Sequence, residues 1–205
     1  MKKLIPLLGI LAFFAINSCK KKDLTYQIKG TIYDSSLSIP LAGAQVVITA
    51  SASGTSGITL ATLTTDANGN YSYEVKRDKY QSINIAVTKN NYFPDGTTTT
   101  LDNLSLKDDN TFNYNLYARS WVRLHFVSDG TKVIKYYKQA GKNGCTECCP
   151  TGEIQLDHVT DQSVYCINNG NTAYQIFYDV QGTTNNGTLQ VITVPFDTTE
   201  LLISY

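Results

Sequence analysis

Alternation of apolar and polar residues with a period of two runs through most of this chain and constrains its fold more than any other feature. After Ser18, no segment carries apolar residues at helical spacing over 11 or more positions, the length at which an amphipathic helix is recognisable. Short segments rich in Tyr, Val, Ile and Thr are instead separated by Gly, Asn and Asp about every ten residues, as in sandwiches and barrels. The sequence therefore predicts an all-β protein.

Four strands are predicted in the first half, each with apolar residues at every second position facing a common core. These residues are Tyr26, Ile28, Gly30 and Ile32, then Val46 and Ile48, then Tyr71, Tyr73 and Val75, and finally Ile83, Ile85 and Val87. Residues 66–70, Asp-Ala-Asn-Gly-Asn, are predicted to form a turn, because Asn and Gly tolerate positive φ.

The order of these segments resembles that of the carboxypeptidase regulatory-like domain. The segments that carry the resemblance are IKGTIYD at residues 28–34, PLAGAQV at 40–46, TDANGNYSY at 65–73, residues 83–87 and Tyr92. The resemblance extends over about residues 24–96 and implies a seven-stranded transthyretin-like sandwich, which we place at residues 24–100. It also implies an accessory module that spaces, stabilises or binds, and that has no catalytic residues.

A polar connection over residues 97–110, which begins with four threonines, predicts a boundary between two domains. Beyond it, alternating segments predict a second β-sandwich at residues 105–205, for which we recognise no family. Its predicted inward residues are Phe112, Tyr114 and Leu116, then Val122, Leu124 and Phe126, then Tyr174, Ile176, Tyr178 and Val180. Residues 189–194 and 201–205 add two strands. The predicted fold class is two β-sandwich domains in series.

The N-terminus has the pattern of an export signal that ends in a lipid anchor. Lys2 and Lys3 precede 13 uncharged, mostly apolar residues, fewer than the roughly 20 that a membrane-spanning helix needs. Residues 16–22, Ile-Asn-Ser-Cys-Lys-Lys-Lys, resemble the lipobox of bacterial lipoproteins, which implies cleavage after Ser18 and a diacylglycerol on Cys19. Residues 1–18 are the predicted signal peptide, and residues 19–23 the lipidated tether. Acyl chains on Cys19 would hold the protein to a membrane.

Lys20 favours the outer membrane, because similar lipoproteins that stay at the inner membrane carry Asp at this position. Whether the protein faces the periplasm or the cell surface stays open. The alternative is an ordinary secretory peptide with an incidental Cys. Of the 17 basic residues, removal of Lys2 and Lys3 leaves 15, against 17 acidic residues. This near-neutral balance argues against nucleic acid as a partner.

Four further cysteines, Cys145, Cys148, Cys149 and Cys166, all fall in the second half. Export to an oxidising compartment favours two disulfides. A bond between the adjacent Cys148 and Cys149 would force a strained ring, so Cys166 is expected to join one of the two and Cys145 the other. We favour Cys145–Cys148 with Cys149–Cys166. The alternative is a four-thiolate zinc site, for which Cys145 and Cys148 supply one C-x-x-C pair.

Enzymatic signals are weak, and the sequence predicts neither an enzyme nor a cofactor. Intradiol dioxygenases share a related sandwich and bind iron through two Tyr and two His. This chain has 14 Tyr but only His125 and His158, which are more than 30 residues apart. A phosphate-binding loop and a nucleophile elbow are both absent from the sequence.

The leading hypothesis is therefore a non-catalytic module of the cell envelope that binds a protein or glycan partner or serves a structural role at the outer membrane. Trp121, Tyr136, Tyr137 and Tyr165 are candidates for an aromatic platform for a sugar, although core packing would use the same residues. Two alternatives stay open: a metal-binding protein or enzyme, and a carrier with a preformed apolar pocket in the second sandwich.

Overall fold

A computed structural model describes residues 24–52, 57–149 and 152–205 of the chain. The predicted signal peptide, Cys19 and the tether lie outside the described residues. Within those residues, no helix is long and apolar enough to cross a membrane. The regular elements described are two single-turn 3₁₀ segments, Leu101–Asn103 and Thr146–Cys148, and strands β1 to β16.

The strands of the first half are β1 (Thr25–Asp34), β2 (Ile39–Pro40), β3 (Gln45–Ser51), β4 (Ile58–Thr64), β5 (Asn70–Lys76), β6 (Ser82–Thr88), β7 (Asp95–Thr100), β8 (Asn110–Thr111) and β9 (Tyr114–Leu116). Strand β1 pairs antiparallel with β2 and β5, and parallel with β8 and β9. The second sheet has the order β4-β3-β6-β7. The residues that fill the core between the two sheets include Ile28, Ile32, Val46, Ile48, Ile83, Ile85 and Val87.

The strands of the second half are β10 (Arg119–Val127), β11 (Val133–Ala140), β12 (Ile154–Asp157), β13 (Asp161–Asn169), β14 (Ala173–Val180), β15 (Asn186–Ile192) and β16 (Thr198–Ser204). One sheet has the order β13-β10-β16, and the other has the order β12-β11-β14-β15. Strand β16 runs parallel to β10, whereas the other pairs in this half are antiparallel. A separate core includes Val122, Leu124, Phe126, Ile134, Tyr174 and Ile176.

The predicted all-β class with two sandwiches is confirmed, and so is the alternation that carried it. In β1 the residues at even positions from Tyr26 to Asp34 are buried. In β10, Val122, Leu124 and Phe126 are fully buried. The turn at residues 66–70 is also confirmed, because the Asp66 carboxylate accepts hydrogen bonds from the backbone amides of Asn68 (2.9 Å) and Asn70 (2.8 Å). The hydrogen bond from the Asn70 amide, and after it the one from the Asn68 amide, lowers the pKa of Asp66.

The structure differs from the sequence-based division at the end of the first sandwich. Residues 95–100 form the edge strand β7, whereas the polar threonines predicted a connection. Tyr114 and Leu116, predicted to belong to the second sandwich, lie in the first core with Ala118. Their strand, β9, pairs with β1, which lies far away in sequence. The first core therefore extends beyond the predicted limit at residue 100, because alternation marks a strand without identifying its partner.

Only Tyr117 and Ala118 separate β9 from β10, so the two sandwiches are directly joined. The backbone amide of Arg119 donates to the carbonyl of Asn91 at 2.7 Å. The Asn171 side chain donates to the carbonyl of Ser36 at 3.1 Å. These hydrogen bonds connect loops of the first sandwich to the start and the turns of the second.

Candidate functional site

The outward side of the sheet β13-β10-β16 gathers the chemically most varied side chains of the second sandwich. Because Val122, Leu124 and Phe126 face the core, the alternate residues of β10 face away from it. We call this surface the outer face. It comprises Arg119, Trp121, Arg123 and His125 of β10, Asp161, Ser163, Tyr165 and Ile167 of β13, and Glu200 and Leu202 of β16.

His125 lies between two carboxylates on the outer face. Its Nδ1 is 2.6 Å from Glu200 Oε1, and its Nε2 is 2.9 Å from Asp161 Oδ1. The hydrogen bond to Glu200, and next the one to Asp161, raise the pKa of His125 above its usual value. Both ring nitrogens are thus engaged as donors when the ring is protonated. When it is protonated, His125 pairs with acids on both sides, an arrangement that suits charge pairing better than proton transfer to a substrate.

Arg123 extends this polar cluster across the strands. Its Nε donates to Ser163 Oγ at 2.9 Å, and its Nη1 lies 3.8 Å from Glu200 Oε2. Arg123 therefore draws β13 and β16 together over the surface of β10. Its charge is already balanced by Glu200, which also bonds His125.

Next to this cluster is a depression of about 300 Å³, which we call the aromatic depression. Its lining is Arg119, Trp121, Glu147, Tyr165 and Ile167. Tyr165 keeps 60% of its surface exposed, whereas Trp121 is partly buried and Ile167 is buried. Arg119 is fixed from outside the depression, because its Nε donates to the carbonyl of Tyr92 at 3.2 Å. Its guanidinium lies 5.3 Å from the centre of the Phe93 ring.

Two disulfides hold the remaining wall of the aromatic depression. The structure pairs Cys145 with Cys148 and Cys149 with Cys166, with Cα–Cα distances of 5.2 and 5.1 Å, as favoured from the sequence. The first bond closes the 3₁₀ turn that carries Glu147, and the second fastens this turn to β13 beside Tyr165. The Lys138 ammonium supports the same turn by donating to the carbonyls of Lys142 and Cys148. Burial lowers the pKa of Lys138.

The four residues proposed as an aromatic platform are divided by the fold. Trp121 and Tyr165 share the aromatic depression. Tyr136 lies in the second core, where its ring centre is 4.8 Å from that of Phe126. Tyr137 lies on the opposite sheet and packs on Phe177 at 5.4 Å. Only two of the four thus form a shared surface, because β11, which carries Tyr136 and Tyr137, belongs to the other sheet.

The described residues offer no set of ligands that would fit either metal hypothesis, zinc or iron. All four cysteines there are in disulfides, so none is a thiolate ligand. His158 lies in a turn after β12, and its backbone amide donates to the carbonyl of Lys132. No group of three or more His, Cys, Asp or Glu side chains within residues 24–52, 57–149 and 152–205 is arranged to hold a metal ion.

Sequence reasoning identified neither Arg119, Arg123, Asp161 and Glu200 of the outer face nor Glu147 of the aromatic depression as site residues. Asp161 and Glu200 meet His125 only because β13 and β16 flank β10 from positions distant in sequence. Glu147 was visible only as the third residue of the C-x-x-C segment. Alternation in β10 is a signal that could have found Arg119 and Arg123, because it puts them on the same outward side as Trp121 and His125.

Comparison with known proteins identifies no family. No protein-family model matches the chain, including the part that resembles the carboxypeptidase regulatory-like domain, and no curated protein matches it. Among solved structures, the TIE protein of Bacillus anthracis is 12% identical with a TM-score of 0.37, over 88% of this chain and 34% of that one. This chain thus spans about a third of the TIE protein's length.

Two further solved structures are similar at the same low level. Shaft pilin SpaA of Lactobacillus rhamnosus GG is 12% identical with a TM-score of 0.36, over 88% of this chain and 97% of the pilin. Catechol 1,2-dioxygenase of Acinetobacter sp. ADP1 is 17% identical with a TM-score of 0.31, over 45% of this chain and 41% of the enzyme. With TM-scores below 0.5, these similarities assign neither a family nor a function.

Proposed function

We propose that this protein is a non-catalytic lipoprotein of the bacterial cell envelope, anchored to the outer membrane through Cys19, that binds a partner through the outer face. The observation that carries the binding role is the aromatic depression, in which the exposed ring of Tyr165 lies beside Trp121, Arg119 and Glu147. Binding sites combine aromatic surface with a few fixed polar groups, because the rings bury area and the polar groups orient the ligand.

The polar cluster supports binding over catalysis. Both nitrogens of His125 are committed to Glu200 and Asp161. Ser163 accepts a hydrogen bond from the cationic side chain of Arg123. A nucleophilic serine instead donates its proton to a neighbouring base. The second core is filled by side chains such as Phe126 and Tyr174, which supports a surface ligand over an enclosed apolar one.

We assign the first sandwich the role of an accessory module of the carboxypeptidase regulatory-like kind. It would space the outer face from the membrane, because the lipidated tether at residues 19–23 precedes it and β10 follows it directly. The four strands predicted from the alternation are β1, β3, β5 and β6, and their order along the chain is that of the segments that carry the resemblance, which supports this assignment.

Lipid labelling and fractionation test the anchor. The full chain, expressed in a Gram-negative bacterium with radiolabelled palmitate, is expected to be labelled and to sediment with the outer membrane. Cys19→Ala is expected to abolish both. Lys20→Asp is the matched variant, since it keeps Cys19 and should move a labelled protein to the inner membrane. An unlabelled wild-type chain would contradict the anchor, and protease treatment of intact cells tells which side it faces.

Site-specific crosslinking tests the binding role. A photoreactive phenylalanine analogue replaces Tyr165 in one full-length variant and Tyr137, an exposed tyrosine of the opposite sheet, in another. Illumination of whole cells is expected to give a discrete adduct from position 165 and none from position 137. Equal adducts from both positions, or none from position 165, would contradict the outer face as the binding surface.

A further inference from the structure

We propose that the aromatic depression is a binding site for a neutral sugar ring of a polysaccharide. This inference rests on the proposed binding function and names the ligand class and the residues that recognise it. It is argued from the aromatic surface, the balance of charge and the way in which the walls are held.

The aromatic surface suits the carbon–hydrogen face of a pyranose. Trp121 and Tyr165 line the same depression, and the exposed ring of Tyr165 is available for stacking. They are offset by two positions in the ladder between β10 and β13, because Trp121 pairs with Ile167 and Arg123 pairs with Tyr165. Diagonal side chains at this spacing reach each other across a sheet. They form an apolar floor for a flat ligand.

The polar groups at the rim suit a ring that carries neighbouring hydroxyls. Arg119 offers planar, paired N–H donors, and Glu147 offers two acceptor oxygens. A pair of adjacent hydroxyls both donates and accepts, so it can satisfy both side chains. The volume of about 300 Å³ lies at the lower end of small-molecule sites, which fits one ring of a chain whose neighbours extend into solvent.

The balance of charge favours a neutral ligand over an anionic one. The lining carries one cation, Arg119, and one anion, Glu147. In the neighbouring polar cluster, His125 bonds Glu200 and Asp161. Arg123 also lies close to Glu200. A phosphate or uronate in the depression would therefore meet the like charge of Glu147 in a lining whose net charge is zero, whereas a neutral sugar meets no such repulsion.

The walls are held in place before any ligand binds. Arg119 is fixed by the Tyr92 carbonyl and by Phe93 of the first sandwich. Glu147 lies in a turn closed by the Cys145–Cys148 disulfide, and Cys149–Cys166 joins that turn to the strand that carries Tyr165. A preorganised site loses less conformational entropy on binding. Binding is therefore expected to depend on both disulfides.

Fluorescence of the full-length protein tests the proposal directly, because Trp121 is the only tryptophan in the chain. The protein is held in a detergent without a sugar headgroup. The probes are hexasaccharides of glucose (β1,4 and α1,4), mannose, xylose and N-acetylglucosamine, together with oligogalacturonate and a sulfated glycan as anionic probes. At least one neutral probe is expected to change Trp121 emission saturably, and the anionic probes are expected not to do so.

Variants locate the site. Their binding is measured with the neutral probe that the wild-type protein binds most tightly. Tyr165→Ala is expected to weaken binding about tenfold, because ring stacking is lost, and Tyr165→Phe to stay within about twofold. Glu147→Gln is expected to weaken binding by a smaller factor. The Cys145→Ser/Cys148→Ser double variant should also bind more weakly, because it loosens the turn that carries Glu147. Tyr137→Ala, on the opposite sheet, is the matched control and should bind normally.

Three results would overturn the proposal: no neutral probe alters Trp121 emission, an anionic probe binds in preference, or Tyr165→Ala binds as well as the wild type. Circular dichroism of each variant separates a lost site from a lost fold. If Tyr165→Ala fails to fold, Glu147→Gln takes its place, and unchanged binding by that variant would then overturn the proposal. A discrete crosslink from position 165 in cells, without neutral sugar binding, would leave the proposed binding function standing and refute the sugar alone.

Discussion

At the scale of single residues, His125 has the clearest link between geometry and pH. Its two carboxylate partners raise its pKa above the usual value, so the folded state holds the proton more tightly than the unfolded state. By linkage, this tighter proton binding stabilises the folded state, and the stabilisation is fully present below the pKa of the unfolded state, near 6.5. It is lost as the pH rises through the raised pKa of the folded state.

Removing one carboxylate should therefore lower the pKa of His125. Glu200→Gln keeps the shape of the side chain but removes the negative charge beside Nδ1. We expect the titration of the His125 ring protons, followed by NMR, to move toward lower pH than in the wild type. The free energy of unfolding should also fall less between mildly acidic and mildly alkaline pH. Glu153→Gln, whose partner is Lys135, is the control, and an unchanged His125 titration in Glu200→Gln would contradict the pairing.

Asp34 is a buried carboxylate that organises the end of β1. It accepts hydrogen bonds from the hydroxyl of Tyr92 at 2.6 Å and from the backbone amides of Ser36 at 2.8 Å and Leu37 at 3.0 Å. Burial, and then the bond to Asp34, raise the pKa of Tyr92. Asp34 therefore satisfies three donors with one side chain.

Asp34→Ala should lower the free energy of unfolding by about 3 kcal/mol, because it leaves buried donors without an acceptor. Tyr92→Phe, which removes one donor, should cost about 1 kcal/mol. Denaturant titration measures both values. Asp102→Ala, at an exposed position, should stay within about 0.5 kcal/mol of the wild type. If the free energy of unfolding fell as little in Asp34→Ala as in Asp102→Ala, the Asp34 carboxylate would be dispensable.

At the scale of elements, the close approach of β8 to β1 depends on Gly30. A Cβ added at this position would overlap the carbonyl oxygen of Phe112, the residue that directly follows β8. It would also lie 2.9 Å from the ring of Tyr71, whose hydroxyl donates to the same carbonyl. The glycine thus allows a distant segment to join the first sheet.

Gly30→Ala should destabilise the protein by about 2 kcal/mol or more, because the overlap is with backbone and the strands must separate. Gly57→Ala is the matched control, since an added Cβ there meets its nearest atom at 3.6 Å, an ordinary contact. Hydrogen exchange of the backbone amides should show selective loss of protection around β8 in Gly30→Ala. Equal stability of the two variants would contradict the packing of β8 against β1.

The two disulfides should contribute unequally to stability. Cys149–Cys166 has a sequence separation of 17, and Cys145–Cys148 a separation of 3. By loop-closure entropy, removing the longer loop's bond should cost roughly 3 kcal/mol, and removing the shorter roughly 1.5 kcal/mol. Double Cys→Ser variants of each pair, compared by denaturant unfolding, measure the difference. A larger loss from the short pair would contradict this order.

At the scale of the whole molecule, aromatic and cationic side chains join the two sandwiches. The Phe93 ring contacts the Lys142 ammonium, 4.0 Å from the ring centre, and the Arg119 guanidinium at 5.3 Å. Phe196 packs edge-on against Tyr92 at 5.4 Å. With only two residues between β9 and β10, these contacts fix the second sandwich against the first.

Phe93→Ala should lower the free energy of unfolding by about 1 to 2 kcal/mol through loss of two cation–π contacts. It should also broaden the distribution of distances between spin labels placed one on each sandwich. Leu106→Ala, at an exposed position of the first sandwich, is the control. Distance distributions that match between Phe93→Ala and the wild type would show that the short connection alone fixes the arrangement.

Much of each strand followed from the sequence. Alternation placed Ile28 and Ile83 inside the first sandwich and Val122 and Phe126 inside the second, because a strand has only two faces and one is buried. The candidate lipid anchor at Cys19 was also visible only in the sequence. Local geometry reduced the number of possible disulfide pairings, because the adjacent cysteines Cys148 and Cys149 cannot form a bond with each other without strain.

Tertiary structure alone decided which strands meet. Residues 110–116 join β1 and so belong to the first sandwich, and β16 joins β10 from the far end of the chain. That pairing brings Glu200 to His125, and the disulfide-bonded turn brings Glu147 to Trp121. Period-two alternation fixes the face of each residue but carries no information about partners, because every amphipathic strand offers the same backbone hydrogen bonds to any neighbour.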